Sequence, residues 1–303
     1  MSEVDFSRIL TNPILDIAAR LWDIDRYAAF QVCYRSMRFV DDLVDDARTS
    51  ERPMSDTKRS ELANDIGRIV EQLQEGKSTD RRQQQLLEVL NNFQIPVWPW
   101  QRLAGAMLYD LHHDGFASFH IFLRYCEGAA IAPAAVFVHL CGIGLSRGEV
   151  SLPPFDIRRV ARPLAIFSYL THILRDFHKD QTAGLNYFSD DLLRKHDLTP
   201  ASLEQIAESG TRPQSFRRLM ADYCRMADYY RRRARAVLDF TASVLPPRYR
   251  TSLELIYELY LQVFERFDPL DTLYTSGELN PTPAEVQARI ELTLARSESW
   301  KQH

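Results

Sequence analysis

The chain has 303 residues, about twice the length of an average domain, and is long enough to bury a large core. Its 37 Lys and Arg residues against 41 Asp and Glu residues give a net charge of −4, without the basic excess expected of a general nucleic-acid binder. Only 11 residues are glycine, which disfavours folds built on many tight turns and glycine-rich phosphate loops. A mostly helical enzyme or interaction protein is the leading class.

Apolar residues recur at helical spacing along most of the chain and predict helices over 14–22, 25–47, 60–74, 86–93, 100–112, 116–142, 157–180, 215–244 and 248–267. Prolines separate these helices, and Pro133 predicts a kink within one of them. No alternating strand pattern and no internal repeat is present. We therefore predict an all-α single domain over residues 1–303, with a core at about 12–268 and a polar tail over 269–303.

The four cysteines have no CxxC spacing, and most lie in apolar helical stretches. We therefore expect reduced thiols. The first twenty residues contain charged side chains where a signal peptide has a continuous apolar run, which favours a cytoplasmic location. Residues 128–146 are uncharged and nominally long enough to span a membrane, but the proline, glycines and histidine within them favour a buried central helix. Peripheral contact with the inner face of a membrane stays open.

Four aspartates fall within positions 41–46 of a predicted helix. Asp41 and Asp45 are one turn apart and share a helix face with Arg38. Like charges at this spacing destabilise an isolated helix by a few tenths of a kcal/mol. Because a divalent cation would reverse that effect, Asp41 and Asp45 are candidate metal ligands.

A second cluster repeats the arrangement downstream, with Asp176 and Asp180 one turn apart, His172 one turn earlier and Arg175 alongside. Carboxylates beside cations suit Mg²⁺ held jointly by the protein and by phosphate oxygens of a substrate, with Arg38 and Arg175 binding the same oxygens. The alternative is that both clusters are solvated helix faces with salt bridges. The apolar residues that flank each cluster favour a buried setting.

Other metal and nucleotide sites lack their sequence signatures. No Glu lies three residues before any of the eight histidines, which excludes a helical di-iron carboxylate site. Zinc spacings of Cys and His, a P-loop and a nucleophile elbow are missing from the sequence, and the glycines at 142, 144 and 148 do not match the dinucleotide fingerprint.

Two motifs resemble those of the squalene/phytoene synthases. Residues 34–46 (YRSMRFVDDLVDD) resemble the first aspartate-rich motif of that family, and residues 169–180 (YLTHILRDFHKD) resemble the second. Residues 184–188 are similar to the family's segment just after its second motif, and Tyr125 resembles the tyrosine between the motifs. The resemblance runs from about residue 12 to residue 265 in the family's order and spacing.

The resemblance implies an all-α isoprenoid synthase-type helical bundle around a central apolar cavity. It implies a Mg²⁺-dependent prenyltransferase that joins two prenyl diphosphates, farnesyl or geranylgeranyl diphosphate, head to head through a cyclopropyl diphosphate. The implied catalytic residues are Asp41, Asp45, Asp176, Asp180 and Tyr125. The implied metal ligands are the same four aspartates and His172, and the implied substrate-binding residues are Tyr34, Arg38, Arg175, Tyr187 and Tyr260.

The sequence also departs from the family pattern. Tyr169 and His172 stand where the family has Gln and a metal-binding Asn, and residues 131–134 lack expected glycines, as in the hydroxysqualene-pathway branch. Asn12 stands near an expected Ser/His-rich clamp, and residues 275–280 are not the expected basic segment. Two alternatives therefore stay open: a single-substrate terpene synthase or diphosphate lyase on the same fold, and a non-catalytic relative. Substrate chain length, exact product, use of a reductant and oligomeric state also stay open.

The run Arg231–Arg233, with Arg225 and Arg235 nearby, has two interpretations. A charge run of this kind is usually a solvated helix face. Attraction to an anionic membrane surface is the functional alternative.

Overall fold

A computed structural model describes residues 13–50, 54–146 and 149–299. The helices are α1 (Pro13–Ala19), α2 (Ile24–Ser50), α3 (Asp56–Glu75), α4 (Arg81–Asn92), α5 (Trp98–Asp110), α6 (Phe119–Cys126), α7 (Ala132–Gly142), α8 (Ile157–Arg175), α9 (Phe177–Thr182), α10 (Asp190–Lys195), α11 (Pro200–Ser209), α12 (Gln214–Thr241), α13 (Pro247–Phe264), α14 (Ser276–Leu279) and α15 (Pro283–Ser299). A π-helical turn, Glu127–Ile131, joins α6 to α7, and β1 (Gly144–Ser146) pairs antiparallel with β2 (Glu149–Ser151). The predicted all-α class is confirmed, with this short hairpin as an addition.

The chain forms two compact units. One contains residues up to 27, residues 166–184 and residues from 193 onward; the other contains residues 28–165 and 185–192. Helices α2 and α8 each contribute to both units. The single domain and the central apolar cavity stay predictions.

Helix α5 packs against several other elements of the unit that contains residues 28–165. It contacts α3, α6, α7 and the π-helical turn. Gly128 in that turn has no room for a side chain, because a β-carbon would overlap the carbonyl oxygen of Arg102 and the side chain of Ala106 on α5. This close approach holds the π-helical turn after α6 against the middle of α5. Pro133 lies in the first turn of α7, directly after the π-helical turn.

Helix α13 is the hub of the other unit and contacts α1, α12 and α15. The Trp22 indole N–H donates to Ser252 Oγ on α13 at 2.9 Å, and that hydroxyl donates to the Ala18 carbonyl at 2.6 Å. The tail from residue 269 differs from the predicted polar extension. Val286 and Ile290 of α15 are buried, because they belong to the face that packs on α13.

The helix predicted over 157–180 is interrupted. It ends at Arg175, and Asp176 has φ −95° and ψ 10° before α9 begins. The break falls inside the second aspartate cluster.

Within the described residues, one helical stretch, 119–142, is long and apolar enough to cross a membrane. In its most apolar window, 56% of the residues are buried inside the protein, and a buried core helix passes the same test. All four cysteines are free thiols, and three of them, Cys33, Cys126 and Cys141, are buried.

Candidate active site

The first aspartate cluster lies on α2. Arg38 is held between two of its carboxylates: one guanidinium nitrogen donates to Asp41 Oδ2 at 2.6 Å, and another donates to Asp42. Tyr34, one turn before Arg38, stacks on Phe30 with ring centroids 5.5 Å apart. The predicted sharing of one face by Arg38 and Asp41 is confirmed by this ion pair.

Two carboxyl groups of this cluster, those of Asp41 and Asp45, have raised pKa values. Burial raises the pKa of Asp41 to about 6, and the charge of Asp45 adds to that effect, while Arg38 opposes it. Burial also raises the pKa of Asp45, against Arg38 and Arg48, which favour its charged form. The charged pair is therefore costly in the absence of a further cation.

A third carboxylate, which lies outside both sequence motifs and was not predicted, belongs to the same unit. Asp110, the last residue of α5, is buried, and its Oδ2 accepts a 2.7 Å hydrogen bond from the Tyr125 hydroxyl on α6. Arg48 lies 3.3 Å from Asp110 Oδ1. Burial raises the pKa of Asp110 to about 7, with Asp45 and Asp41 contributing in the same direction and Tyr125 and Arg48 opposing it. The sequence signal was an aspartate on the apolar face of α5, next to the buried Leu111.

Tyr187 lies in the same unit. With Arg48, Asp110 and Asn186 it lines a recess of about 10 Å³, which is close to the space that one water needs. Nearby, Tyr109 donates its hydroxyl hydrogen to the Gly115 carbonyl at 2.8 Å and shapes the loop after α5. The substrate-binding role of Tyr187 stays a prediction.

The second cluster lies at the α8–α9 junction, and its charged side chains pair with one another. Arg175 donates from Nε to Asp176 Oδ1 at 2.7 Å and from a terminal nitrogen to Oδ2 at 2.8 Å. His172 Nε2 lies 2.7 Å from the same Oδ2. The side chain of Asp176 is only 1% exposed. Both carboxylate oxygens therefore have short polar partners.

The electrostatics of Asp176 are opposite to those of Asp41. Burial alone would raise the pKa of Asp176, but the hydrogen bonds from Arg175 and His172 hold it well below its usual range. Asp180, half-buried on α9, donates its backbone N–H to the Asp176 carbonyl at 2.8 Å. Tyr260, buried on α13, and Asp180 both favour the charged form of Arg175.

An apolar cavity of about 340 Å³ opens beside this cluster. Its apolar walls come from α1, α13 and α15, and Arg175 and Lys179 line it from α8 and α9. Ser276, Asn280 and two prolines complete the lining. The arrangement suits an apolar chain with an anionic head group, because the cations lie together on neighbouring turns.

The donor sets of the two clusters differ in their fit to Mg²⁺. The residues in the described ranges contain no group of three or more His, Cys, Asp or Glu side chains that could hold a metal ion. Mg²⁺ needs only one or two protein carboxylates when water and phosphate oxygens complete its shell. Asp41 and Asp45 meet that requirement, since a cation would relieve the repulsion that raises their pKa values. Asp176 does not offer a free carboxylate while Arg175 and His172 hold it.

The structure thus groups the predicted residues by unit. Tyr34, Arg38, Asp41, Asp45, Tyr125 and Tyr187 lie in the unit that contains α5. His172, Arg175, Asp176, Asp180 and Tyr260 lie in the unit that contains α13. The metal-binding, catalytic and substrate-binding roles of these residues stay predictions, and Asn12 lies outside the described residues.

The fold is that of the all-α squalene synthases. A dehydrosqualene synthase solved with a ligand matches at a TM-score of 0.71 with 16% identity, covering 97% of this chain and 95% of that one. A squalene synthase from Alicyclobacillus acidocaldarius matches at 0.64 with 17% identity, covering 83% and 85%. At these identities the likeness establishes the fold.

The chain belongs to the Squalene/phytoene synthase family, whose model matches residues 17–283. It is 26% identical over 183 residues to phytoene synthase 2 of Oryza sativa subsp. japonica, covering 60% of this chain and 44% of the relative. It is 23% identical over 195 residues to 15-cis-phytoene synthase of Synechocystis sp., covering 63% and 55%. The chain therefore matches these two relatives over roughly half of their length, or less.

Proposed function

We propose that this protein is a Mg²⁺-dependent prenyltransferase that joins two farnesyl-type diphosphates head to head. The observation that carries the proposal is the presence, in a chain of this family, of two carboxylate clusters that each include an arginine. The 340 Å³ cavity beside the second cluster supports it, because an apolar wall with adjacent cations suits a prenyl diphosphate.

Asp41 and Asp45 would hold Mg²⁺, which fits their spacing of one turn on α2 and the raised pKa values of both carboxyl groups, although Asp41 is half-buried and Asp45 is exposed. Bound there, the ion supplies positive charge that stabilises a departing diphosphate. Arg38 already pairs with Asp41 and would bind the same diphosphate oxygens.

Arg175 and Lys179 would bind a diphosphate at the cavity, while apolar residues such as Leu259 and Val263 contact the prenyl chain. A diphosphate competes with Asp176 for Arg175, because both are anionic acceptors of the same guanidinium donors. Substrate binding would then free Asp176 from its pairing with Arg175.

In the proposed reaction, the carbon–oxygen bond to one diphosphate breaks, and the diphosphate leaves with the electron pair. The double bond of the second prenyl chain attacks the resulting allylic cation, and cyclopropane closure releases a proton. The hydrogen bond from the Tyr125 hydroxyl to Asp110 fixes the position of the tyrosine ring. An electron-rich ring in a water-poor setting stabilises a carbocation.

The decisive experiment incubates the full chain with farnesyl diphosphate, and separately with geranylgeranyl diphosphate, in Mg²⁺ and then in EDTA. We expect Mg²⁺-dependent diphosphate release and a product with twice the carbon number of the substrate, detected by mass spectrometry. A product with the carbon number of one substrate would instead identify a single-substrate terpene synthase. Intact substrate in every incubation would identify a non-catalytic relative.

A further inference from the structure

Helix α12 carries an exposed stripe of arginines and aromatic residues. Arg218, Arg225, Tyr229, Arg232, Arg233 and Phe240 are all exposed. At 100° per residue these positions fall within roughly one third of the helix circumference. From Arg218 to Phe240 the stripe extends about 33 Å along the axis, at 1.5 Å per residue. We refer to these six residues as the basic stripe.

The basic stripe concentrates positive charge in a chain that is negative as a whole. Helix α12 contains seven arginines and three aspartates, whereas the net charge of the chain is −4. Asp222, one of the three, is buried and already surrounded by Lys195, His196 and Arg225. Three cationic or basic groups around one buried carboxylate leave the surrounding surface positive.

The stripe also exposes aromatic surface. Tyr229 is 47% exposed and Phe240 is 52% exposed. The guanidinium carbon of Arg233 lies 5.5 Å from the Tyr229 ring centroid, and an Arg233 nitrogen donates to the Tyr229 hydroxyl at 2.9 Å. Solvation of a charged helix face does not explain exposed aromatic rings between the charges. Rings at this level of exposure suit a boundary between water and an apolar phase.

We propose that the basic stripe of α12 binds the surface of a membrane that contains anionic lipids. Arginines attract the lipid phosphates, and Tyr229 and Phe240 enter the head-group region, which is the pattern of helices that lie in a membrane interface. The inference does not depend on the chemistry proposed above, although a membrane would serve any enzyme that handles long apolar chains.

A bilayer is favoured over an acidic protein or a nucleic acid by the aromatic and apolar residues at the end of the stripe. Phe240 lies one turn before the exposed Val244. An aliphatic side chain and a phenylalanine gain nothing from phosphate backbones in water, but each gains free energy on transfer into the head-group region.

The test is sedimentation of the full chain with vesicles of phosphatidylcholine alone and with vesicles that also contain phosphatidylglycerol. We expect binding only to the anionic vesicles, decreasing as the salt concentration rises. Reversing two charges in Arg232→Glu/Arg233→Glu should weaken binding at least about tenfold, since each basic residue near an anionic surface contributes about 1 kcal/mol. Phe240→Ala should also weaken it.

Matched controls lie in the other unit. Arg81→Glu/Arg82→Glu reverses two exposed arginines at the start of α4, and Phe39→Ala removes a phenylalanine that is 46% exposed. Both should bind anionic vesicles like the unchanged protein. Arg232→Glu removes an ion pair with Asp228 and places a second negative charge beside it. Arg232→Gln/Arg233→Gln removes the positive charges without that repulsion, and circular dichroism checks the folding of each protein.

Equal binding to neutral and anionic vesicles would overturn the proposal, and so would an equal loss of binding in the α4 control. A stripe variant that loses retention on duplex DNA or on an acidic protein, but keeps its vesicle binding, would assign the stripe to that partner instead. None of these measurements needs a prenyl substrate, so they are independent of the outcome of the activity assays.

Discussion

The two aspartate clusters have the same spacing and opposite electrostatics. On α2, burial and a neighbouring carboxylate raise the pKa of Asp41 to about 6. At the α8–α9 junction, Arg175 and His172 hold the pKa of the buried Asp176 well below its usual range. Both clusters include an arginine, but burial and neighbouring carboxylates outweigh it at Asp41, whereas two hydrogen-bonding partners outweigh burial at Asp176. A DxxxD motif is therefore not sufficient to define a cation site, because the partners on neighbouring turns decide what its carboxylates can still bind.

Asp176→Ala should show the largest effect of this difference. It leaves Arg175 buried without its carboxylate, and breaking a buried pair costs about 3–5 kcal/mol. We expect the free energy of unfolding in urea to fall by that amount, and prenyl diphosphate turnover to be abolished. Turnover of farnesyl diphosphate at the unchanged rate would refute the assignment of the second motif.

The two clusters should affect the pH dependence of stability in opposite directions. Asp41 and Asp110 have folded pKa values of about 6 and about 7, above the ordinary value of 3.8. The folded protein therefore binds more protons between pH ~4 and ~7, and these groups make stability fall as the pH rises through that window, each by at most about 1.4 kcal/mol per pH unit. Urea unfolding at a series of pH values should show a flatter curve for Asp41→Asn/Asp110→Asn.

The paired carboxylate should behave in the opposite way. The lowered pKa of Asp176 means that its stabilisation is present above pH ~3.8 and is lost as the pH falls through the folded value. Asp176→Ala should therefore keep the fall in stability between pH ~4 and ~7. The double variant Asp41→Asn/Asp110→Asn should lose it. A flattened slope in this variant would contradict the assignment of the clusters to opposite signs.

Asp110→Asn tests whether the role of Tyr125 depends on a charged hydrogen-bond partner. An amide oxygen can still accept the Tyr125 hydrogen bond, but hydrogen bonds to charged groups contribute about 1 kcal/mol more than neutral ones. We expect kcat to fall about fivefold with little change in KM. Asp114→Asn is the matched control, because Asp114 also lies near Arg48, at 3.6 Å, but is fully exposed. An equal loss in both variants would assign the effect to Arg48.

Asp41→Asn should have the opposite effect on stability to Asp176→Ala. The substitution removes a carboxylate whose charged form is disfavoured, and the lost ion pair with Arg38 offsets part of that gain. We expect the free energy of unfolding at pH 7 to stay unchanged or to rise by about 1 kcal/mol, while Mg²⁺ no longer raises the melting temperature. A fall of about 3 kcal/mol or more in the free energy of unfolding would mean that Asp41 depends on its ion pair as strongly as Asp176 does.

His172→Ala should destabilise the second cluster much less than Asp176→Ala does. Asp176 keeps both hydrogen bonds from Arg175, so the free energy of unfolding should fall by only about 1 kcal/mol, the contribution of one hydrogen bond. A loss as large as that of Asp176→Ala would make His172 an equal partner in closing the cluster. Urea denaturation distinguishes the two outcomes.

The sequence predicted the helical elements well because each long helix has a periodic apolar face. It placed α2 over 25–47, against Ile24–Ser50 in the structure, and α12 over 215–244, against Gln214–Thr241. It missed the break at Asp176 because the apolar periodicity continues through Ile173, Leu174 and Phe177. It did not predict the helices α11 and α15, each of which buries only a few residues, so that the apolar pattern of each is weak.

The candidate site was predictable in part. The motifs themselves named Arg38, Asp41, Arg175 and Asp176, and the structure shows these residues as Arg38–Asp41 and Arg175–Asp176 ion pairs. Asp110 was not predicted, because its significance depends on a contact with Tyr125, 15 residues away on another helix.

By itself the sequence determined the helical class, the family and the residues that carry charge, since these depend on periodicity, spacing and residue type. Only the tertiary structure decided which carboxylates are neutralised. Burial removes the water that would otherwise screen every charge, so the direction of each pKa shift depends on the few groups that the fold places within hydrogen-bonding reach. Asp41 and Asp176 each begin a DxxxD pair with an arginine nearby. The fold gives Asp176 two partners, Arg175 and His172, whereas the charge of Asp45 opposes the effect of Arg38 on Asp41.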